Sequence, residues 1–245
     1  MMTRAAEMHR KGDYRGAIEN YEAVRRQTEE RPPSVCAKAA FLEGGARERL
    51  WSAGTDPREE FGKALEAFDE AIRLDDSELR VYAVESLLAK ADMLLAAARR
   101  SSATNTEFLE RGEECLRKLV DEPRWQVHPA VRRGIPHRML AEILRDKEPH
   151  LAVDLFTQAR DRQGDLEEGI ENLSIAELYR DVLDQPDRAE ECFERVRQNG
   201  LASGEDRRQA EDALKKLRNG MRAETELPEE AGEVLPEIDL EPWSE

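Results

Sequence analysis

Cysteine, aromatic residues, lysine and long apolar runs are all scarce in this chain of 245 residues. Its three cysteines, Cys36, Cys115 and Cys192, occur singly, with no C-x-x-C pair. An odd, unpaired set argues against a disulfide framework and fits a reducing cytoplasm, each thiol reading as a small buried hydrophobe. Aromatic content of 5% and hydrophobic content of 39% are low for a compact globule and suit an array in which every helix keeps one solvated face. Lysine supplies only eight of the 38 basic residues, leaving 30 arginines. With abundant alanine, that bias fits a GC-rich bacterial genome. The longest apolar run, residues 93–98, falls far short of a bilayer span, so no membrane insertion is expected. Met1 leads straight into a polar helical pattern, and no signal peptide is expected.

Motifs that carry chemistry are missing too. The four histidines, His9, His128, His137 and His150, stand apart, none at metal-ligand spacing with cysteine or a second histidine. No HExxH, P-loop, G-x-S-x-G or dinucleotide fingerprint occurs. We therefore assign no catalytic residue, cofactor or metal, and expect a protein that is not an enzyme. The connector holding Trp125, His128 and His137 is the one remaining place for an unrecognised site; its plainer reading is that Trp125 plugs a gap between helix pairs. A net charge of −16 disfavours nucleic acid and anionic membrane as partners.

What is present is a recurring pattern: a small residue, a large one four positions on, then a small or aliphatic one three further on. It reads Ala17–Tyr21–Val24, Ala64–Phe68–Ala71, Gly112–Leu116–Leu119, Ala152–Phe156–Ala159 and Ala189–Phe193–Val196. Residues three and four apart share one helix face, so each copy describes an edge that docks closely on a neighbour. Self-similarity at this scale marks a helical array whose units bury their apolar faces by stacking. No stretch alternates apolar and polar residues as strands do, and the fold class expected is all-α.

Turn signals divide the chain. Gly12-Asp13-Tyr14 turns a first hairpin over residues 3–28. Pro32-Pro33 stops its second helix, with Ser34 read as the next cap. A long helix follows to about Ala53, interrupted at Gly44-Gly45. Asp56-Pro57 opens a helix to Leu74. Asp76 or Ser77 starts the next segment, helical over 79–100, with a polar loop at 101–105 and a partner helix over 106–121. After the connector at 123–129, helices are expected over 137–147 and 149–162, closed by Gly164. The next two are expected over 166–183 and 186–198. A charged helix over 205–219, with a thin stripe of Ala210, Ala213, Leu214 and Leu217, reads as the cap sealing the array.

Beyond Gly220 the composition changes. Residues 221–245 hold nine acidic residues and one basic residue, Arg222, so half of the net charge sits there. With Pro228, Pro236 and Pro242 this reads as a disordered acidic tail. Within it Val234, Leu235, Ile238, Leu240 and Trp243 cluster as a candidate short linear motif. The domain division expected is 1–220 for the helical array and 221–245 for the tail.

Gly12-Asp13-Tyr14 followed by Ala17-Ile18, Tyr21 and Ala23-Val24 resembles the turn and second helix of a tetratricopeptide repeat. Ala64-Leu65, Phe68 and Ala71-Ile72 resemble the same helix, as do Ala152-Val153, Phe156 and Ala159. Leu88-Ala89-Lys90-Ala91, Leu140-Ala141 and Ile175-Ala176 with Tyr179 resemble the first helices. The likeness covers about residues 3–200. Successive copies are spaced by 47, 48, 40 and 37 residues (17 to 64, 112, 152 and 189), against about 34 in regular repeats, and the third copy is a weak match. The chain thus resembles a divergent tetratricopeptide-like protein with lengthened helices. The resemblance implies a right-handed α-solenoid of about five antiparallel helix pairs plus the C-terminal cap.

In such families the first helices line a concave groove that holds peptides or protein segments. Carried over, the groove candidates are His9; Ser86, Lys90 and Met93; Arg138, Glu142 and Arg145; and Glu177 and Arg180. Their arginines and glutamates either grip an acidic extended peptide or pair with one another at i,i+3 and i,i+4. The lysine–asparagine clamp of chaperone-binding members is not recognisable. The function expected is a non-enzymatic adaptor or scaffold for another protein or peptide. Alternatives are a self-associating structural subunit, or a regulatory subunit whose acidic tail docks or autoinhibits.

Overall fold

The computed structural model describes residues 1–27, 29–55, 57–100, 105–163 and 168–225. Among the described residues there is no strand, and the chain forms twelve α-helices and one 3-10 turn. They are α1 (Met2–Arg10), α2 (Tyr14–Arg25), α3 (Pro33–Ser52), α4 (Pro57–Leu74), α5 (Val81–Arg100) and α6 (Asn105–Asp121). After the 3-10 turn at Pro123–Trp125 come α7 (Pro129–Arg132), α8 (Ile135–Leu144), α9 (Pro149–Gln163), α10 (Glu168–Asp181), α11 (Pro186–Gln198) and α12 (Gly204–Thr225). Most helices pack on the helices before and after them in the chain; α3 also meets α5, α6 meets α8, and α10 meets α12. None is long and apolar enough to cross a membrane.

The small–large–small triplets supply the interfaces. Tyr21, Phe68, Leu116, Phe156 and Phe193 are all among the largest fully buried side chains. One continuous apolar core runs from Leu65 on α4 to Leu214 on α12. A smaller cluster of Trp51, Ala64, Phe68, Met93 and Ala97 joins α3, α4 and α5, and another of Ala5, Ala17 and Tyr21 joins α1 to α2. Cys36, Cys115 and Cys192 are free thiols, all buried. Trp125 is buried in the main core, with the Arg124 guanidinium 4.4 Å from its ring centre.

Several boundaries differ from the expectation, each for a local reason. Asp13 caps α2 as read, its carboxylate accepting from Gly16 N at 3.0 Å. Ser34, by contrast, lies inside α3, because Pro33 takes the first helical position, for which its fixed φ is suited. α3 is not interrupted at Gly44-Gly45: the helix is continuous, and Gly44 is the notch that lets the Phe68 ring approach. The start of α5 is set by neither Asp76 nor Ser77 but by the buried Asp75. Its carboxylate accepts from Ser77 Oγ at 2.6 Å and Ala83 N at 2.9 Å, and α5 begins only at Val81. The expected connector ends in a turn of helix, α7, that continues past it to Arg132 and whose N-cap is His128, its Nδ1 accepting from Ala130 N at 3.2 Å. α8 starts two residues early, at Ile135, behind Gly134. That glycine has φ 73°, and a Cβ on it would lie 2.6 Å from Ala159 Cα on α9. α12 begins behind the Ser203 hydroxyl, which accepts from Asp206 N at 3.0 Å, and runs through Gly220 to Thr225. Thr28, Asp56, residues 101–104 of the loop expected over 101–105, Gly164 and Leu166 lie outside the described residues, and Asn105 is already the first residue of α6.

Candidate functional site

α5 is rich in alanine and leucine and is packed on several sides. Ala83, Val84, Leu87, Ala91, Leu94 and Leu95 enter the main core, while Met93 and Ala97 turn toward α3 and α4. At 100° per residue this leaves one stripe, Glu85, Leu88, Ala89 and Asp92, at i, i+3, i+4 and i+7. Phe41 and Glu48 of α3 face this stripe from one side, and Ile135 and Met139 of α8 from the other. The eight side chains line a groove of about 320 Å³. Its five apolar members are neither fully buried nor free; each keeps part of its surface at the groove.

Phe41 is held in place by rings behind it, with centroids 6.3 Å from Phe68 and 6.1 Å from Tyr82. Three carboxylates stand among the lining residues and no cation does. Burial pushes the Glu48 carboxyl above its ordinary range; Arg49 pulls it down and the Asp92 charge pushes it further up. His128 Nε2 lies 3.7 Å from Glu85, but burial holds His128 below its ordinary value, so it is neutral at pH 7 and brings no charge.

The side chains singled out from the sequence sit elsewhere. Ser86 and Met93 are 0% and 1% exposed, so they face the core and cannot meet a partner. They are one position off the groove stripe, and one position is 100° of rotation. Lys90 is turned to α4, where it pairs with Asp69. His9 is partly buried, edge-on to Tyr14 with centroids 5.3 Å apart, and burial then Arg49 lower its pKa. Glu142 is exposed on α8.

The arginines do pair with carboxylates, Arg138 and Arg145 between helices and Arg180 within α10. Arg138 lies 3.6 Å from the buried Glu171 of α10. Arg145 donates to Glu177 of α10 at 2.9 Å, and Gln209 of α12 donates to the other Glu177 oxygen at 2.9 Å. Arg180 donates to Asp181 at 2.7 Å, an interaction that lowers the Asp181 pKa, and stands 5.5 Å from the Phe193 ring centre. Arg138, Arg145 and Gln209 thus tie α8 and α12 to α10. The tail residues Val234, Leu235, Ile238, Leu240 and Trp243 lie outside the described residues.

Sequence reasoning missed Phe41, Glu48, Glu85, Leu88, Asp92, Ile135 and Met139. The available signal was the Glu-x-x-Leu-Ala-x-x-Asp spacing on α5, an acidic pair bracketing apolar residues on one face. A second cleft, bounded by Arg160, Asp161, Asn172, Arg195 and Gln198, is polar, and its arginines already hold carboxylates: Arg160 with Asp161 at 3.1 Å, Arg195 with Glu191 at 2.6 Å. No group of three or more His, Cys, Asp or Glu placed to hold a metal ion occurs among the described residues. No protein-family model matches the chain, and no curated protein matches it.

Proposed function

We propose that this chain is a non-enzymatic adaptor that binds a segment of another protein in the groove between α3, α5 and α8. The observation that carries the reading is the partly exposed apolar floor of that groove, Phe41, Leu88, Ala89, Ile135 and Met139, left over after the core is filled. The architecture we propose around it is a right-handed α-solenoid of about five antiparallel helix pairs capped by α12, similar to tetratricopeptide arrays. Packing of consecutive helices, with α3 reaching α5 and α10 reaching α12, supports it. In that arrangement α3, α5 and α8 are the first helices of successive pairs, so the groove is their shared face.

A second reading places function in the tail, where Val234, Leu235, Ile238, Leu240 and Trp243 stand in an acidic stretch suited to folding on a partner. A pull-down with the full chain, with residues 1–225 and with Met139→Glu separates the two. Cutting after Thr225 keeps α12 whole. A partner held by the first two and lost by the third supports the groove. A partner lost on truncation and kept by Met139→Glu moves function to the tail.

A further inference from the structure

We infer that the groove takes a short cationic segment, one apolar side chain flanked by arginine or lysine. This rests on the adaptor reading and adds the chemistry of the partner. Glu48, Glu85 and Asp92 rim the apolar floor, one from α3 and two from α5. Nearby cations do not offset them equally. Arg49 acts on Glu48 from its own helix, but Lys90 is drawn to Asp69 of α4 and Arg138 to Glu171 of α10. His128, beside Glu85, is held below its ordinary pKa by burial and does not offset it at pH 7.

A rim of carboxylates only partly offset by nearby cations, around apolar surface, is complementary to a side chain of leucine or phenylalanine size with guanidinium or ammonium groups beside it. The volume of about 320 Å³ accommodates side chains and not a folded domain. Met139 and Leu88 supply an adaptable and a fixed wall for the anchor. The same rim repels the chain's own tail, in which nine acidic residues face one basic residue. An acidic peptide meets the same repulsion.

The test selects short random displayed peptides on the immobilised full chain. The selected peptides are then synthesised and titrated against the wild type, Glu85→Lys/Asp92→Lys and the near-isosteric Glu85→Gln/Asp92→Asn. Glu85 and Asp92 are solvent-facing, and circular dichroism melts verify that each variant folds. The expected result is enrichment of arginine or lysine around a single apolar residue. Affinity should fall at least about tenfold in the lysine variant, less in the amide variant, and decline as salt is raised. Enriched acidic peptides, or basic peptides bound equally by all three proteins, overturn this inference and leave the adaptor reading standing. Failure to enrich any peptide overturns both.

Discussion

The Phe68 ring on α4 lies against the bare backbone of Gly44 on α3, so close that a Cβ at Gly44 would stand 2.5 Å from its Cε1. The next residue, Gly45, has nothing within 4 Å of the corresponding point. Helix propensity favours alanine at both positions, so packing alone separates them. Gly44→Ala is expected to destabilise by about 1–3 kcal/mol, because Phe68 has no room to retreat in the core. Gly45→Ala is expected to stabilise by about 0.5–1 kcal/mol. Urea unfolding of both variants tests this, and effects of the same sign would contradict the close approach.

Arg47 on α3 is 5% exposed and ties three helices together. It bonds Glu43 on its own helix at 3.0 Å and Glu60 on α4 at 2.9 Å, and also pairs with Glu22 on α2. Arg25 adds a second contact to Glu43 at 2.9 Å. Burial still pushes Glu43 above the usual carboxylate range despite both arginines. Arg47→Ala is expected to cost about 3–5 kcal/mol, since it leaves that carboxylate buried with one partner fewer. A loss below about 1 kcal/mol would mean that the cluster contributes little beyond its own desolvation.

Arg145, Glu177 and Gln209 link α8, α10 and α12 through one carboxylate. A double-mutant cycle on Arg145→Ala and Glu177→Ala is expected to give a coupling of about 0.5–1 kcal/mol, the upper part of the range for pairs that keep some contact with water. Coupling should shrink at high salt. Zero coupling in low salt would show that the two side chains are neighbours without being partners.

His137 is 1% exposed, neither ring nitrogen has a hydrogen-bond partner among the described residues, and burial with Arg162 lowers its pKa to about 4. A histidine depressed in the folded state favours folding above its unfolded pKa of 6.5, and that contribution disappears as pH falls through the folded value. Between pH 6.5 and about 4 the wild type should therefore lose roughly 3 kcal/mol relative to His137→Leu. Urea midpoints of both proteins at pH 7.5, 5.5 and 4.5 measure the difference. Parallel curves for the two proteins would remove His137 as the cause.

Helix identity was legible wherever a turn residue or a period spoke for itself. Asp13 as a cap and the buried edge at Ala17, Tyr21 and Val24 follow from local spacing alone. The stripe on α5 did not follow, and the reason is physical. With alanine or leucine on nearly every face of α5, its apolar period does not say which side stays wet. The choice between Ser86, Lys90 and Met93 and their neighbours Glu85, Leu88, Ala89 and Asp92 is made by α3, α4 and α6 packing on α5. For the same reason Arg138 and Arg145 could not be assigned from their own helix; their partners lie 33 and 32 positions away (138 to 171, 145 to 177).

The amino-acid order by itself determined that this protein is helical, where most helices begin, and which triplets are buried. Those features are set by interactions within a few residues: caps, proline geometry and the 3.6-residue period. Only the tertiary structure decided which residues form the groove and which form ties. Burial of a helix face depends on neighbours far away in the chain, and a rotation of one residue exchanges a core position for a surface one.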